Sequence, residues 1–135
     1  MSPKSIGVIL VLLVVSLGTG WIWGQSGKAD VDQARRQSEQ RAEAELAHAE
    51  ILEGRLAVTR KNFGDAGGHF AKAAAALERL QRQYRELGQA DAAGKVEIVL
   101  ATLKTALHQT EQLDLGAQSA ADAALQALKG VGAGF

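Results

Sequence analysis

DAGGHFAKAAAALERLQRQYREL, residues 65–87, carries the most regular apolar pattern in this chain of 135 residues. Its apolar residues recur in alternating steps of four and three: Ala66, Phe70, Ala73, Leu77, Leu80, Tyr84 and Leu87. Such heptad spacing keeps one stripe of a helix against a neighbouring helix. We therefore predict a helix over Asp65–Leu87 that packs along a helical partner.

The segments on either side predict three further helices. A helix from Ala29 to about Lys61 precedes the turn Asn62–Asp65, at which Asp65 is the expected cap. Its predicted core stripe is Val31, Ala34, Ala42, Leu46, Ala49, Leu52 and Leu56. After Gly88, a third helix capped by Asp91 runs to about Gln112, with the stripe Ala92, Val96, Val99, Leu103, Ala106, Thr110 and Leu113. A fourth, about Ala117 to Lys129, offers Ala121, Ala124, Leu125 and Leu128.

Short connections between striped helices favour an all-α, up-and-down bundle of three to four helices. One proline, abundant alanine and 4% aromatic residues also argue against a sheet. We expect the bundle over residues 42–129, a polar joint and helical stalk over 25–41, and a disordered tail over 130–135.

The amino-terminal residues predict a membrane anchor over 1–24. No charge occurs between Lys4 and Lys28, and an 18-residue helix over 6–23 would span about 27 Å, close to a hydrocarbon core. Trp21 and Trp23 fit the membrane–water interface. A cleaved signal peptide is the alternative, but the apolar run is long for one and lacks an A-x-A-like end.

The same segment bears on orientation and pairing. An amino terminus this short stays in the cytoplasm more easily than the domain does, so we expect a single-pass protein whose helical domain lies outside. Ser16, Gly20 and Gly24 recur every four residues, which would let another helix approach closely. Glycine at a loosening helix end is the plainer explanation of that stripe.

The hairpin of the first two soluble helices resembles a tetratricopeptide repeat over about 34 residues. Gly54 matches the small residue at the helix crossing, Phe63 the aromatic at the turn, and Ala66, Phe70 and Ala73 the small-large-small series. Ala57 stands where the family has a large aromatic, and no second copy is present. The resemblance implies a solitary repeat-like hairpin that binds protein, in a membrane-anchored protein of the bacterial envelope, with its domain in the periplasm.

Little in the composition points to catalysis. The 15 basic and 15 acidic residues cancel, which disfavours nucleic acid as a partner, and cysteine is absent. His48, His69 and His108 fall on three predicted helices without a ligand motif. We therefore expect no enzyme, metal, cofactor or small-molecule substrate.

The function predicted from these features is a membrane-anchored protein-interaction or scaffold protein that binds a partner or itself. Phe63, Phe70 and Tyr84 are the predicted binding residues, although all three also fit the core. Two alternatives stay open. One is a structural subunit held in a membrane complex by its transmembrane helix, and the other is a secreted binding module released by cleavage.

Overall fold

The computed structural model describes residues 3–132, with side chains described from residue 28 onward. Over this range the chain is all-helical and has no strand: α1 spans Pro3–Thr59, α2 Phe63–Glu86, α3 Ala90–Glu111 and α4 Gly116–Lys129. The predicted all-α class is confirmed. Residues 25–41, predicted as a joint and stalk, are helical throughout. The chain divides into two units, Met1–Ser38 and Glu39–Phe135, and the second contains the bundle.

The turns between helices differ in part from prediction. Asn62, not Asp65, caps α2, because the Asn62 side-chain oxygen accepts a hydrogen bond from the Asp65 backbone N–H at 3.3 Å. Asp91 lies inside the first turn of α3, and no side chain caps that helix. Gly88 ends α2 as predicted, with a φ of +69° that glycine adopts without strain.

Contacts between side chains show that successive helices run antiparallel. Glu43 and Glu50 of α1 pair with Arg79 and His69 of α2, so later residues of α1 meet earlier residues of α2. In the same way, Gly67 of α2 lies beside Thr110 of α3, whereas Gln81 donates to the carbonyl of Ala93.

The fourth helix completes the bundle. Arg55 of α1 contacts Asp122 of α4, so these two helices are neighbours. Val131, just after α4, shares a groove with Gln40 of α1 and Gln89 before α3. Because α4 ends beside the start of α3, it runs antiparallel to α3. The second unit is therefore an up-and-down bundle of four helices.

The predicted core stripes of α2, α3 and α4 are confirmed, with exceptions at their ends. Buried members include Phe70, Leu77, Val96, Leu103 and Leu128. Leu87 and Leu113 were predicted to be core but are exposed. Both lie where their helices have stopped, and Leu113 has a φ of +55°, so the helical spacing that predicted their burial no longer applies there.

The predicted core stripe of α1 is wrong. Val31, Leu46, Leu52 and Leu56 are exposed, and a different face is buried: Ala44, Ala47, Ile51, Gly54, Ala57 and Val58. Small residues dominate this buried face, so its hydrophobic signal in the sequence is weak. The leucines that carried the stronger signal lie on the outside of the bundle.

A glycine and a phenyl ring set the packing of α1 on α2. Phe70 is fully buried, and a Cβ added at Gly54 would lie 2.5 Å from Phe70 Cε1 and 2.7 Å from Cδ1. Real Cβ atoms essentially never lie this close to another heavy atom, so a side chain at position 54 would require the Phe70 ring to move. The two helix backbones can approach closely here because residue 54 has no side chain.

The predicted membrane segment, residues 6–23, lies outside the residues whose side chains are described. Among residues 28–132, whose side chains are described, no helix combines the length and the apolar composition needed to cross a bilayer.

We predict that Gly54→Ala destabilises the bundle by about 1–3 kcal/mol, because the new methyl group must displace the packed Phe70 ring. Gly68→Ala is the matched control, since it lies inside α2 with nothing within 4 Å of its added Cβ. Gly68→Ala should stabilise the chain by about 0.5–1 kcal/mol through helix propensity. Denaturant unfolding followed by circular dichroism measures both. Equal effects of the two substitutions would contradict the packing.

Candidate interaction surface

The outer face of α1 carries an exposed row of apolar side chains, here called the α1 stripe: Leu46, Ala49, Leu52 and Leu56. The three leucines are 42%, 43% and 41% exposed. They lie within three helical turns, whereas exposed apolar residues scattered singly are normal on any protein. Their arrangement makes this stripe a continuous apolar feature on one face of α1 over residues 46–56.

An ion pair and a histidine–carboxylate contact border the stripe on the side of α2. Arg79 binds Glu43 with two parallel hydrogen bonds, from Nε to Oε1 at 2.8 Å and from the terminal nitrogen to Oε2 at 2.9 Å. This bidentate geometry is the strongest form of an arginine–carboxylate contact. Hydrogen bonding to Glu43 raises the pKa of Arg79, so the guanidinium stays charged. His69 Nδ1 lies 2.6 Å from Glu50 Oε2 on the same side.

A second ion pair borders α1 on the side of α4. Arg55 Nε lies 2.5 Å from Asp122 Oδ1, and both side chains are partly exposed. The α1 stripe is thus an apolar centre between charged pairs on two sides. An apolar centre with a polar rim is the usual anatomy of a protein–protein interface.

The residues predicted to bind protein lie mainly in the core. Phe70 is fully buried, Tyr84 is 8% exposed, and Phe63 is partly buried against the core cluster. Their burial agrees with the alternative prediction that these three aromatic residues belong to the core. None of them belongs to the α1 stripe.

The residues predicted for membrane depth and helix pairing lie outside the part of the chain with described side chains. They are Trp21 and Trp23 at the interface, and Ser16, Gly20 and Gly24 on the pairing stripe.

The described side chains show no arrangement for metal binding. From residue 28 to residue 132 there is no group of three or more His, Cys, Asp or Glu side chains that could hold a metal ion. A groove of about 510 Å³ at the α2–α3 end has Gln40, Tyr84, Gln89 and Asp91 in its lining. That lining contains no serine, histidine or lysine.

Comparison with known proteins gives no relative for this chain. No family model, curated protein or solved structure matches it.

Two features of this interaction surface were not predicted from the sequence. The leucines of the α1 stripe were seen but placed in the core, because a leucine row at helical spacing is usually buried. The bordering polar contacts join residues 19 to 67 positions apart, such as Glu50 with His69 and Arg55 with Asp122. Such long-range pairs have no local signal.

We predict a coupling free energy of about 0.5–1 kcal/mol between Glu43 and Arg79, because the pair is bidentate but partly solvated. A double-mutant cycle with Glu43→Gln and Arg79→Met, read by denaturant unfolding, measures it. The coupling should fall at high salt. Arg85 and Glu97, 3.6 Å apart and well exposed, are the control pair and should couple near zero. A Glu43–Arg79 coupling no larger than that of Arg85 and Glu97 would contradict the prediction that this pair stabilises the bundle.

Burial raises the pKa of Tyr84 above its ordinary value of 10.0. A raised folded-state pKa means that the folded chain holds the phenol proton more tightly than the unfolded chain does. The resulting stability is present below pH 10 and is lost as the pH rises through the folded-state pKa.

We therefore predict that the wild-type chain loses more stability above pH 10 than the Tyr84→Phe variant does. Tyr84 is the sole tyrosine, so tyrosinate absorbance reports its titration directly. If the free energies of unfolding of the two proteins fall in parallel above pH 10, the raised pKa of Tyr84 is contradicted.

Proposed function

We propose that this chain is a non-enzymatic, membrane-anchored interaction protein that binds a partner protein through the α1 stripe. The observation that carries the proposal is the row of three leucines, each about two-fifths exposed, between ion pairs on both sides. Covering these leucines would remove apolar surface from water without disturbing the core. The bundle would thus present α1 as a rigid docking face.

The sequence of residues 6–23 supports the membrane part of the proposal. This uncharged run is long enough to span a bilayer as a helix, and its last residues include Trp21 and Trp23. The proposed location is a bacterial inner membrane, with the helical domain on the periplasmic side. An anchor of this kind would confine the bundle to the membrane that holds it.

The resemblance to a tetratricopeptide repeat supports a binding role. Close packing of Gly54 against Phe70 is what the small residue and large aromatic of such a hairpin would require. Ala57 is a departure from the repeat pattern, and it is buried in the core. The α1 stripe lies on a different face of α1 from Gly54, so the docking proposal does not depend on the resemblance.

A second candidate function is a structural subunit held through its membrane helix. The small-residue stripe Ser16, Gly20 and Gly24 favours this candidate, because small residues let helices approach in lipid. In that case the bundle would contribute little to complex formation.

We predict that Leu52→Glu and Leu56→Glu each reduce crosslinking of the full chain to its partner in native membranes by about tenfold, because a charge would enter the apolar centre. Ile98→Glu is the matched control, since Ile98 on α3 is 61% exposed and lies away from the stripe. It should leave the crosslinked product unchanged. Circular dichroism of each variant checks that the helices remain folded.

A different result would support the second candidate function. If crosslinking survives both leucine substitutions but is lost when Gly20 and Gly24 are replaced by leucine, the membrane helix is the main contact. That result would contradict docking at the α1 stripe.

A further inference from the structure

The first turn of α3 presents backbone N–H groups that have no acceptor among the described residues. A helix leaves its first N–H groups without partners inside the helix, and a capping side chain usually accepts from one of them. Gln89 precedes this 22-residue helix, but its side chain accepts no such bond. The backbone N–H of Ala93 donates to the Gln89 carbonyl, whereas those of residues 90–92 find no acceptor in the described part of the chain.

These unpaired donors belong to residues that line a groove. Residues 90–92 form part of the wall of the groove of about 510 Å³ at the α2–α3 end, here called the end groove. Small-molecule sites in proteins usually have volumes of about 300–1,000 Å³. The end groove is therefore large enough for a small ligand beside the start of α3.

The phenol of Tyr84 is a second, independent polar group without a partner. Tyr84 is 8% exposed and lines the end groove, so the small exposed part of its side chain faces that space. It forms no side-chain hydrogen bond with a residue in the described part of the chain, and its oxygen is not among the atoms that protein encloses completely. Because a buried tyrosine hydroxyl usually has a partner, the end groove is where that partner would lie.

The charge and the apolar part of the lining restrict the kind of ligand. A helix start favours a negatively charged group. The exposed carboxylate of Asp91 lines the same groove without an ion pair among the described residues, so it would repel a simple anion and attract a cationic group. Val131, which is 6% exposed, adds an apolar wall.

From these groups we infer that the end groove binds a free α-amino acid with an aliphatic side chain. The ligand carboxylate accepts from the N–H groups of residues 90–92 and from the Tyr84 hydroxyl. The ligand ammonium group meets Asp91, and the aliphatic chain lies against Val131. No leucine of the α1 stripe lines this groove, so the inference is independent of the proposed docking function.

The test is isothermal titration calorimetry of the full chain in nanodiscs of zwitterionic lipid, corrected with empty nanodiscs. Three probes share one aliphatic chain: leucine has both charged groups, 4-methylpentanoate lacks the ammonium group, and 3-methylbutylamine lacks the carboxylate. We expect saturable binding of leucine within about 10 mM ligand. Each analogue should bind about tenfold more weakly, because it leaves one set of groups in the groove without a charged partner.

Two substitutions locate the ligand. Tyr84→Phe should weaken leucine binding about fivefold to tenfold, because it removes one donor to the carboxylate. Asp91→Asn should weaken leucine binding about tenfold and strengthen binding of 4-methylpentanoate about threefold, because it removes both an attraction and a repulsion. Glu86→Gln is the matched control, since Glu86 is exposed near the end of α2 but does not line the groove, and it should change neither affinity.

Different results would overturn the inference. If leucine does not bind, the unpaired groups are satisfied by water. If leucine and 4-methylpentanoate bind equally and Asp91→Asn changes neither affinity, the groove takes simple carboxylates. If leucine binding survives both Tyr84→Phe and Asp91→Asn, the ligand lies elsewhere. Circular dichroism checks that each variant remains folded, and if Tyr84→Phe unfolds the bundle, Asp91→Asn alone decides the outcome.

Discussion

The phenyl ring of Phe70 lies against a residue without a side chain, Gly54, and this contact fixes the rotation of α1 in the bundle. Residues three or four positions from Gly54, namely Ile51 and Val58, share its face and are buried. Leu52 and Leu56 lie two positions away, about 200° around the helix, so they must face outward. The exposed stripe is thus a consequence of the helix crossing.

Magnitudes indicate what this outward face can do. Fully burying a leucine contributes about 1.5–3 kcal/mol, so covering the remaining two-fifths of three leucines contributes about 2–4 kcal/mol. Micromolar binding needs about 8 kcal/mol. The apolar row alone is therefore insufficient for micromolar binding, and exposed charged contacts around it, at about 0–1 kcal/mol each, add specificity more than affinity.

Much of the bundle was predictable from the sequence, and α1 shows why the rest was not. In α2, large residues such as Phe70, Leu77 and Leu80 mark the buried face, and the prediction is confirmed. In α1 the buried face is mostly alanine and glycine, while leucines occupy the opposite side. Periodicity weights large apolar residues most, so it selects the wrong face. Only the crossing with α2, which is a tertiary contact, identifies the buried face of α1. The exposure of the α1 stripe is a consequence of that crossing.

Solvent accessibility along α1 tests the central claim that its leucine row faces outward. The chain has no cysteine, so single cysteines at positions 47, 51 and 58 can be compared with cysteines at 46, 52 and 56 by maleimide labelling of the folded chain. The account predicts fast labelling at 46, 52 and 56 and slow labelling at 47, 51 and 58. The reverse pattern would mean that the leucine row is the core, and would contradict the account.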